Sequence, residues 1–382
     1  MKGLTVLADE NMPAVEALLG KQVRVIRKAG RSICHEDLSG VDVLLVRSVT
    51  RIDEELLAGS GVRFVGTATS GFDHVDRDWL SQQGIGFAHA PGSNSNSVVE
   101  YVLAAIAAIE NCLERLLAGA TVGIIGHGHV GSAVATCLRA LGGNVRVFDP
   151  WLDQGCLTGA CSLEAVLECD IISVHAELTS QQPWPSIHLL SHDQLGSLGT
   201  GQLLINASRG AVVDNQALLV ALQRGAGPNV VIDVWEGEPE VDTELLALTQ
   251  IGTAHIAGYS LDGKMLATRM LCDALVVGDL LPSLSQAETR AAEPLRLDAT
   301  GLSSVSLIRQ LIMMRYDIRQ DDSLLREALD SATLGAFDRL RREYADRREL
   351  RGSELAISGL DDSRTQVLRA LGCRISAAPL PL

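Results

Sequence analysis

Residues 121–150 read TVGIIGHGHVGSAVATCLRALGGNVRVFDP, and this stretch decides the fold class. An apolar run, TVGII, breaks at Gly126. Gly128 and Gly131 follow at GxGxxG spacing, and the residues after them carry the apolar periodicity of a helix. A second apolar run, NVRVF, leads to Asp149, 18 positions beyond Gly131. The pattern predicts a strand, a glycine turn, a helix and a strand. In that setting the first glycine permits a tight turn, the second lets backbone approach a pyrophosphate, and the third lets helix and strand pack closely. The helix start adds unpaired N–H groups and a partial positive charge for phosphates. A carboxylate at Asp149 can accept hydrogen bonds from ribose hydroxyls and would repel a 2′-phosphate, so the motif favours NAD over NADP.

The same alternation continues on both sides. Upstream, LTVLAD, DVLLVR and RFVGTAT read as buried strands, with MPAVEALLG, EELLAG and DRDWLSQQ as helices between and after them. Downstream, DIISVHAEL, QLLINASRG and NVVIDVWEGEP read as further strands. Apolar strands alternating with helices predict parallel sheets covered on both faces, in a doubly wound α/β fold. Between the two series, residues 93–117 take the period of one long helix, with Asn96 or Ser97 as its N-cap. A helix from Leu261 to Pro282 follows the second series, and SLSQAETRAAEPL (283–295) reads as a linker. Residues 305–322 and 336–351 read as helices of a separate C-terminal unit.

Three polar residues fall at the ends of successive strands, where open α/β sheets place their sites: Arg209 after LLINAS, Glu238 after VVIDVWEG, and His255 in IGTAHIAGY. Hydride removal from a secondary alcohol leaves a hydroxyl proton that needs a base, and histidine is the side chain suited to neutral pH. A carboxylate beside it holds one tautomer, and an arginine can clamp a substrate carboxylate and polarise a developing carbonyl. Taken singly, Arg209 fits a strand cap, Glu238 a turn before Pro239, and His255 a loop histidine. His74, His89 and His175 read as structural. No spacing suggests a metal site.

Composition narrows the alternatives. The 382 residues suit two or three domains, and a 47% hydrophobic content supports a large core. A formal net charge of −15 and 3% aromatic residues argue against a nucleic-acid partner. The longest apolar run, around YVLAAIAAI, falls well short of a membrane span, and the N-terminus lacks a signal-peptide pattern, so a cytoplasmic enzyme is expected. The eight cysteines form no CxxC pair and read as buried, reduced thiols.

The order GHGHVG, NASRGAVVD, DVWEGEP, HIAGY resembles the D-isomer-specific 2-hydroxyacid dehydrogenase family, and PGSNSNSVVEY matches its hinge into a long interdomain helix. The resemblance implies a doubly wound NAD-binding (Rossmann) domain inserted in a flavodoxin-like α/β substrate domain, with the active site in the cleft between them. Boundaries would be 1–95, completed by 258–285, for the substrate domain and 96–257 for the NAD domain. It also implies that Arg209 binds substrate, that Glu238 pairs with His255, and that His255 is the acid/base. Asp149, Ala176, Ala207, Ser208, Arg209, Asp233 and Gly258 would line the NAD site. Ser48, Thr69 and Tyr259 would contact substrate. The chain departs from the family's usual His-x-Pro-Leu turn at His175, Ala176, Glu177 and Leu178.

LADENMP, LLVRSVT, FVGTATSGFDHVD, HIAGYSLDGK, MRYDIRQDD and FDRLRREYADRRE point to a branch of that family with a C-terminal extension. This implies a small phosphorylated 2-hydroxy acid as substrate and an α+β dimerisation domain over 286–382, giving a homodimer. Arg47 is the candidate for the substrate phosphate. Two alternatives stay open from the residues: oxidation of another 2-hydroxy acid such as 3-phosphoglycerate, and a non-catalytic NAD-sensing protein of the same fold.

Overall fold

A computed structural model describes residues 3–285, 293–331 and 335–376. Part of the expected linker, 286–292, and the last residues of the C-terminal domain, 377–382, lie outside the described residues. The chain divides into two compact units, Met1–Asn94 with Ser260–Ala291, and Ser95–Tyr259 with Ala292–Leu382.

The first unit is built on a parallel sheet of β1 (Thr5–Asp9), β2 (Arg24–Lys28), β3 (Val43–Val46), β4 (Phe64–Thr67) and β5 (Gly86–His89), in the order β2-β1-β3-β4-β5. This is the flavodoxin-like order. β1, β3 and β4 are buried along their whole length, as expected of apolar strands covered by helices on both faces. One side packs on the helix Leu261–Val277 through Leu271, Cys272 and Leu275. That helix ends at Val277, short of the expected Pro282, where Gly278 takes the C-cap. β2 has no counterpart in the sequence reading. Three of its five residues, RVIRK, are charged because it is an edge strand.

The second unit carries β6 (Thr121–Ile125), β7 (Asn144–Phe148), β8 (Ile171–Val174), β9 (Leu203–Asn206), β10 (Asn229–Ile232) and β11 (Ile251–Gly252), all parallel, in the order β11-β10-β9-β8-β6-β7. Chain order reverses between β6 and β8, which makes their carboxyl ends the switch point where such sheets bind ligands. The helix His129–Ala140 follows the glycine turn as expected. The stretch 93–117 forms two helices, Ser95–Ala108 and Cys112–Leu117, because Asn111 adopts a left-handed conformation (φ 59°) that breaks the ladder. Asn96 and Ser97 lie inside the first of these helices and do not cap it. Their side chains bond Glu349 instead, at 2.7 and 2.8 Å.

The C-terminal segment of the same unit adds a parallel three-stranded sheet, β12 (Leu295–Asp298), β13 (Glu354–Ser358) and β14 (Arg374–Ile375), with helices around it. Residues 305–322 do not form one helix. Tyr316 is extended, and Asp317 starts a new helix, Ile318–Asp330, by accepting from the Arg319 N–H. Leu307, Ile308 and Leu311 share one core with Val102, Leu103 and Leu113, so this segment has no hydrophobic core to itself. Among the described residues no helix is long and apolar enough to cross a membrane. Cys34 and Cys156 are exposed, against the expectation of buried thiols, since both sit in surface loops rather than apolar runs.

Candidate active site

The glycine turn is held by close packing at two of its three positions. Gly126 has φ 86°, and a Cβ there would lie 2.5 Å from the Ala176 backbone nitrogen. Position 176 therefore acts through its backbone, which closes the turn across the switch point. A Cβ on Gly131 would sit 1.9 Å from the Gly126 carbonyl oxygen. At Gly128, the N-cap of the helix His129–Ala140, a Cβ would meet no protein atom within 4 Å. Packing does not demand glycine there. A bare backbone at a helix start is the surface a pyrophosphate needs, so the cradle fits a dinucleotide. Asp149 stands at the end of β7. Its Oδ2 accepts from the His127 N–H at 2.7 Å and its Oδ1 from the Trp151 N–H at 3.1 Å, which fixes the carboxylate at the turn.

Three loops carry the remaining polar groups, and all leave carboxyl ends of strands. After β9, the buried Asn206 accepts from the Ser208 N–H at 3.2 Å and donates to the Arg209 carbonyl at 3.2 Å, setting the course of Ala207, Ser208 and Arg209. Gly210 then passes directly over the loop after β10, because a Cβ on it would lie 2.1 Å from the Trp235 carbonyl carbon. This contact brings the Arg209 turn beside the Glu238 loop.

The Glu238 carboxylate has both oxygens placed. Oε1 accepts from the Trp235 N–H at 2.8 Å, and Oε2 lies 2.8 Å from His255 Nδ1. Burial pushes its carboxyl up, but the hydrogen bond and charge of His255, the Trp235 N–H and the Arg341 charge outweigh that and hold it below the usual glutamate range. His255 itself adopts φ 54°. Its N–H donates to the Asp233 carbonyl at 2.8 Å, and the next two N–H groups, of Ile256 and Ala257, donate to the Asp233 carboxylate at 2.7 and 2.9 Å. The left-handed turn at His255 is thus over-determined by one buried aspartate.

Asp233 emerges as a hub that the sequence did not reveal. Besides the two N–H groups it accepts the Thr253 hydroxyl at 2.6 Å, and Tyr101 reaches the same hydroxyl at 2.8 Å. These bonds occupy both carboxylate oxygens with protein donors, which makes Asp233 the support of the 255–259 loop. Gly258 and Tyr259, half-buried, complete that loop.

The other predicted site residues, Arg47, Ser48 and Thr69, belong to the first unit. Ser48 is exposed at the end of β3. Thr69 donates its hydroxyl to the Gly71 carbonyl at 2.7 Å and meets Thr67 Oγ1 at 2.8 Å. Arg47 Nε stands 3.4 Å from Oδ2 of the fully buried Asp9, so its charge already has a counterpart.

The lesser histidines have structural partners: His74 bonds Thr67 Oγ1, His89 bonds the Ser70 carbonyl, and His175 bonds Ser173 Oγ at 2.8 Å. Burial pushes His175 down to about 3, so it is neutral near pH 7. His188, Asp214 and Glu236 converge although the sequence showed no metal-ligand spacing, but His188 Nε2 is bonded to Glu236 at 2.6 Å, which accounts for the grouping.

With this geometry in place, comparison with known proteins decides the family. The D-isomer specific 2-hydroxyacid dehydrogenase NAD binding domain matches residues 104–257, and a domain of unknown function matches 291–372. Erythronate-4-phosphate dehydrogenase of Stutzerimonas stutzeri is 43% identical over 377 residues, 97% of this chain and 99% of its own. The chain belongs to the erythronate-4-phosphate dehydrogenase family. The member from Yersinia enterocolitica is 42% identical and also covers 97% of this chain, with 98% of its own length matched. The crystal structure of D-lactate dehydrogenase from Aquifex aeolicus, complexed with NAD and lactic acid, superposes with a TM-score of 0.58 at 25% identity, covering 72% of this chain and 96% of that one. The family enzyme is an NAD-dependent oxidoreductase acting on a CH–OH group, and the Gly126–Gly131 cradle with Asp149 fits that cofactor.

Proposed function

We propose that this chain oxidises C2 of 4-phospho-D-erythronate to give (R)-3-hydroxy-2-oxo-4-phosphooxybutanoate, a cytoplasmic step of pyridoxal 5′-phosphate biosynthesis. The observation that carries the reading is the Glu238–His255 pair, with His255 Nδ1 at 2.8 Å from a carboxylate anchored on backbone. With Nδ1 donating to Glu238, His255 Nε2 is left as the base for the C2 hydroxyl proton. Glu238 then faces the imidazolium that forms. Arg209 grips the substrate carboxylate, and its fixed fork suits two-point binding. Bound NAD supplies the hydride acceptor. Ala207, Ser208 and Gly258 are assigned to the cofactor's surroundings, with Asp233 holding the loop beneath. Tyr259, Ser48 and Thr69 are assigned to substrate.

Residues 1–95 with 258–285 are assigned as the substrate domain, 96–257 as the NAD domain, and 286–382 as a dimerisation module. Exposed Met313, Met314 and Leu324 on its helices support that last role.

The test is the near-ultraviolet absorbance of reduced nicotinamide when enzyme and NAD meet 4-phosphoerythronate or 3-phosphoglycerate, at substoichiometric and stoichiometric enzyme. The stoichiometric arm reveals a single turnover hidden by slow product release. Signal with 4-phosphoerythronate alone is expected. Silence with it in both arms, while NAD still binds, would overturn the assignment.

A further inference from the structure

The substrate class proposed above carries anions at both ends of a short carbon chain, whereas the chain as a whole carries a formal charge of −15. Binding it needs local cations. Arg209 serves the carboxylate end. Arg47, the candidate from the sequence, has its charge balanced by Asp9 at 3.4 Å, although its Nε too makes no hydrogen bond.

A different arginine meets the requirement. Arg341, on the helix Ala336–Arg342 of the C-terminal segment, has its guanidinium carbon 5.9 Å from the ring centre of Tyr259 and 5.8 Å from that of Phe337. Its charge reaches Glu238 and helps depress that carboxyl. Yet among the described residues Arg341 makes no hydrogen bond or ion pair, and its Nε is a buried donor with no protein partner. Other arginines of the same segment are committed: Arg309 to Glu114, Arg315 to Ser353, Arg326 to Asp322, and Arg347 to the Ser97 and Ala257 carbonyls.

We propose that Arg341 is the phosphate-recognising residue of the active site, so that the C-terminal segment sets substrate specificity. Ring faces engage the π surface of a guanidinium and leave its in-plane N–H fork free, which is the part that binds phosphate oxygens. The electrostatics point the same way. An unneutralised cation near Glu238 opposes the imidazolium that must form on His255 during oxidation. A substrate phosphate seated on Arg341 removes that opposition, so an unphosphorylated analogue loses on binding and on chemistry together. The same segment packs on the Tyr259 ring a second time: Tyr344, three residues beyond Arg341, meets it edge-on at 5.8 Å.

This inference rests on the functional reading above, and the experiment separates the two. Arg341→Met keeps the side-chain stem against the two rings and removes the charge, while Arg341→Lys keeps a charge without the fork. The readout is the ratio of kcat/KM for 4-phosphoerythronate to that for unphosphorylated erythronate. Arg341→Met is expected to lower the ratio by about 30-fold or more, the loss of one charge-assisted phosphate contact, with Arg341→Lys in between. A merely structural arginine would lower both activities and leave the ratio unchanged, and that result would overturn the proposal. Calorimetric titration of the NAD-loaded enzyme with inorganic phosphate is independent of turnover. Equal phosphate affinity in wild type and Arg341→Met would also overturn it. Tight phosphate binding lost in the variant, without oxidation of 4-phosphoerythronate, would sustain the anion site and refute only the substrate assignment.

Discussion

Replacing Glu238 by glutamine should harm catalysis more than replacing it by alanine. The reason lies in which oxygen does what. Oε1 accepts from the Trp235 N–H at 2.8 Å, while Oε2 faces His255 Nδ1 at 2.8 Å. In Glu238→Gln the single amide oxygen has one place where an acceptor is mandatory, opposite the Trp235 N–H. The NH2 group must then point at His255 Nδ1. A donor there stabilises the tautomer that carries its proton on Nε2, and that tautomer cannot take a proton from the substrate hydroxyl. A wrong tautomer in the comparable serine-protease arrangement costs about 10⁴ in turnover, so a loss on the order of 10³- to 10⁴-fold is expected here, or roughly 4–5.5 kcal/mol of barrier. Glu238→Ala removes the partner without imposing a tautomer. Its loss is the charge-assisted bond alone, about 1.5–3 kcal/mol, or roughly 10- to 100-fold. Stopped-flow absorbance of reduced nicotinamide under single-turnover conditions measures the chemical step, and fluorescence titration checks that NAD affinity is preserved. If the glutamine variant is as active as the alanine variant or more so, the argument from the Trp235 anchor is wrong.

Two further outcomes follow from the structure. Gly131→Ala should lower Tm and Gly128→Ala should not, since a Cβ meets the Gly126 carbonyl at 1.9 Å in the first case and no protein atom within 4 Å in the second. Gly128→Ala should instead weaken NAD binding at unchanged Tm, and equal Tm losses in calorimetry would contradict the assigned roles. Glu100 is buried on the helix Ser95–Ala108, and burial pushes its carboxyl up to about 7 against N–H bonds from Arg351 and Leu350. Between its ordinary value of 4.5 and about 7 the folded chain therefore holds more protons than the unfolded one, and stability falls as pH rises through that window. Glu100→Gln should remove that loss, gaining up to about 3 kcal/mol at pH 8 relative to pH 5. A pH-independent difference between variant and wild type in urea unfolding would dismiss the linkage.

What the sequence made legible was local. The GHGHVG turn, the strand-end positions of Arg209, Glu238 and His255, and the parallel α/β layering each depend on a few consecutive residues and their period. What it concealed depends on partners far along the chain. Asn96 and Ser97 look like caps until Glu349 arrives to bond them. Asp233 gives no sign in the sequence that the N–H groups of Ile256 and Ala257, more than twenty residues on, bond its carboxylate. β2 stays hidden because an edge strand such as RVIRK needs no apolar run. The helix breaks at Asn111 and Tyr316 fall within apolar, helix-favouring stretches, and tertiary packing overrides that local preference. Arg341 gave no signal, being one of many arginines in a strongly charged helix.

The buried Arg347 has a consequence for the order of events in synthesis. Its guanidinium lies 4.1 Å from the Tyr316 ring centre and donates to the carbonyls of Ser97 and Ala257, one on the helix that opens the second unit and one beside His255. A nascent chain emerging from the ribosome completes the glycine cradle, Arg209, Glu238 and His255 long before residue 347 leaves the exit tunnel. Until then the 255–259 loop lacks the clasp that ties it to the helix Ser95–Ala108. The loop that carries His255 is therefore tied to that helix only once residue 347 has been made, so a chain truncated before it should hold the loop less firmly.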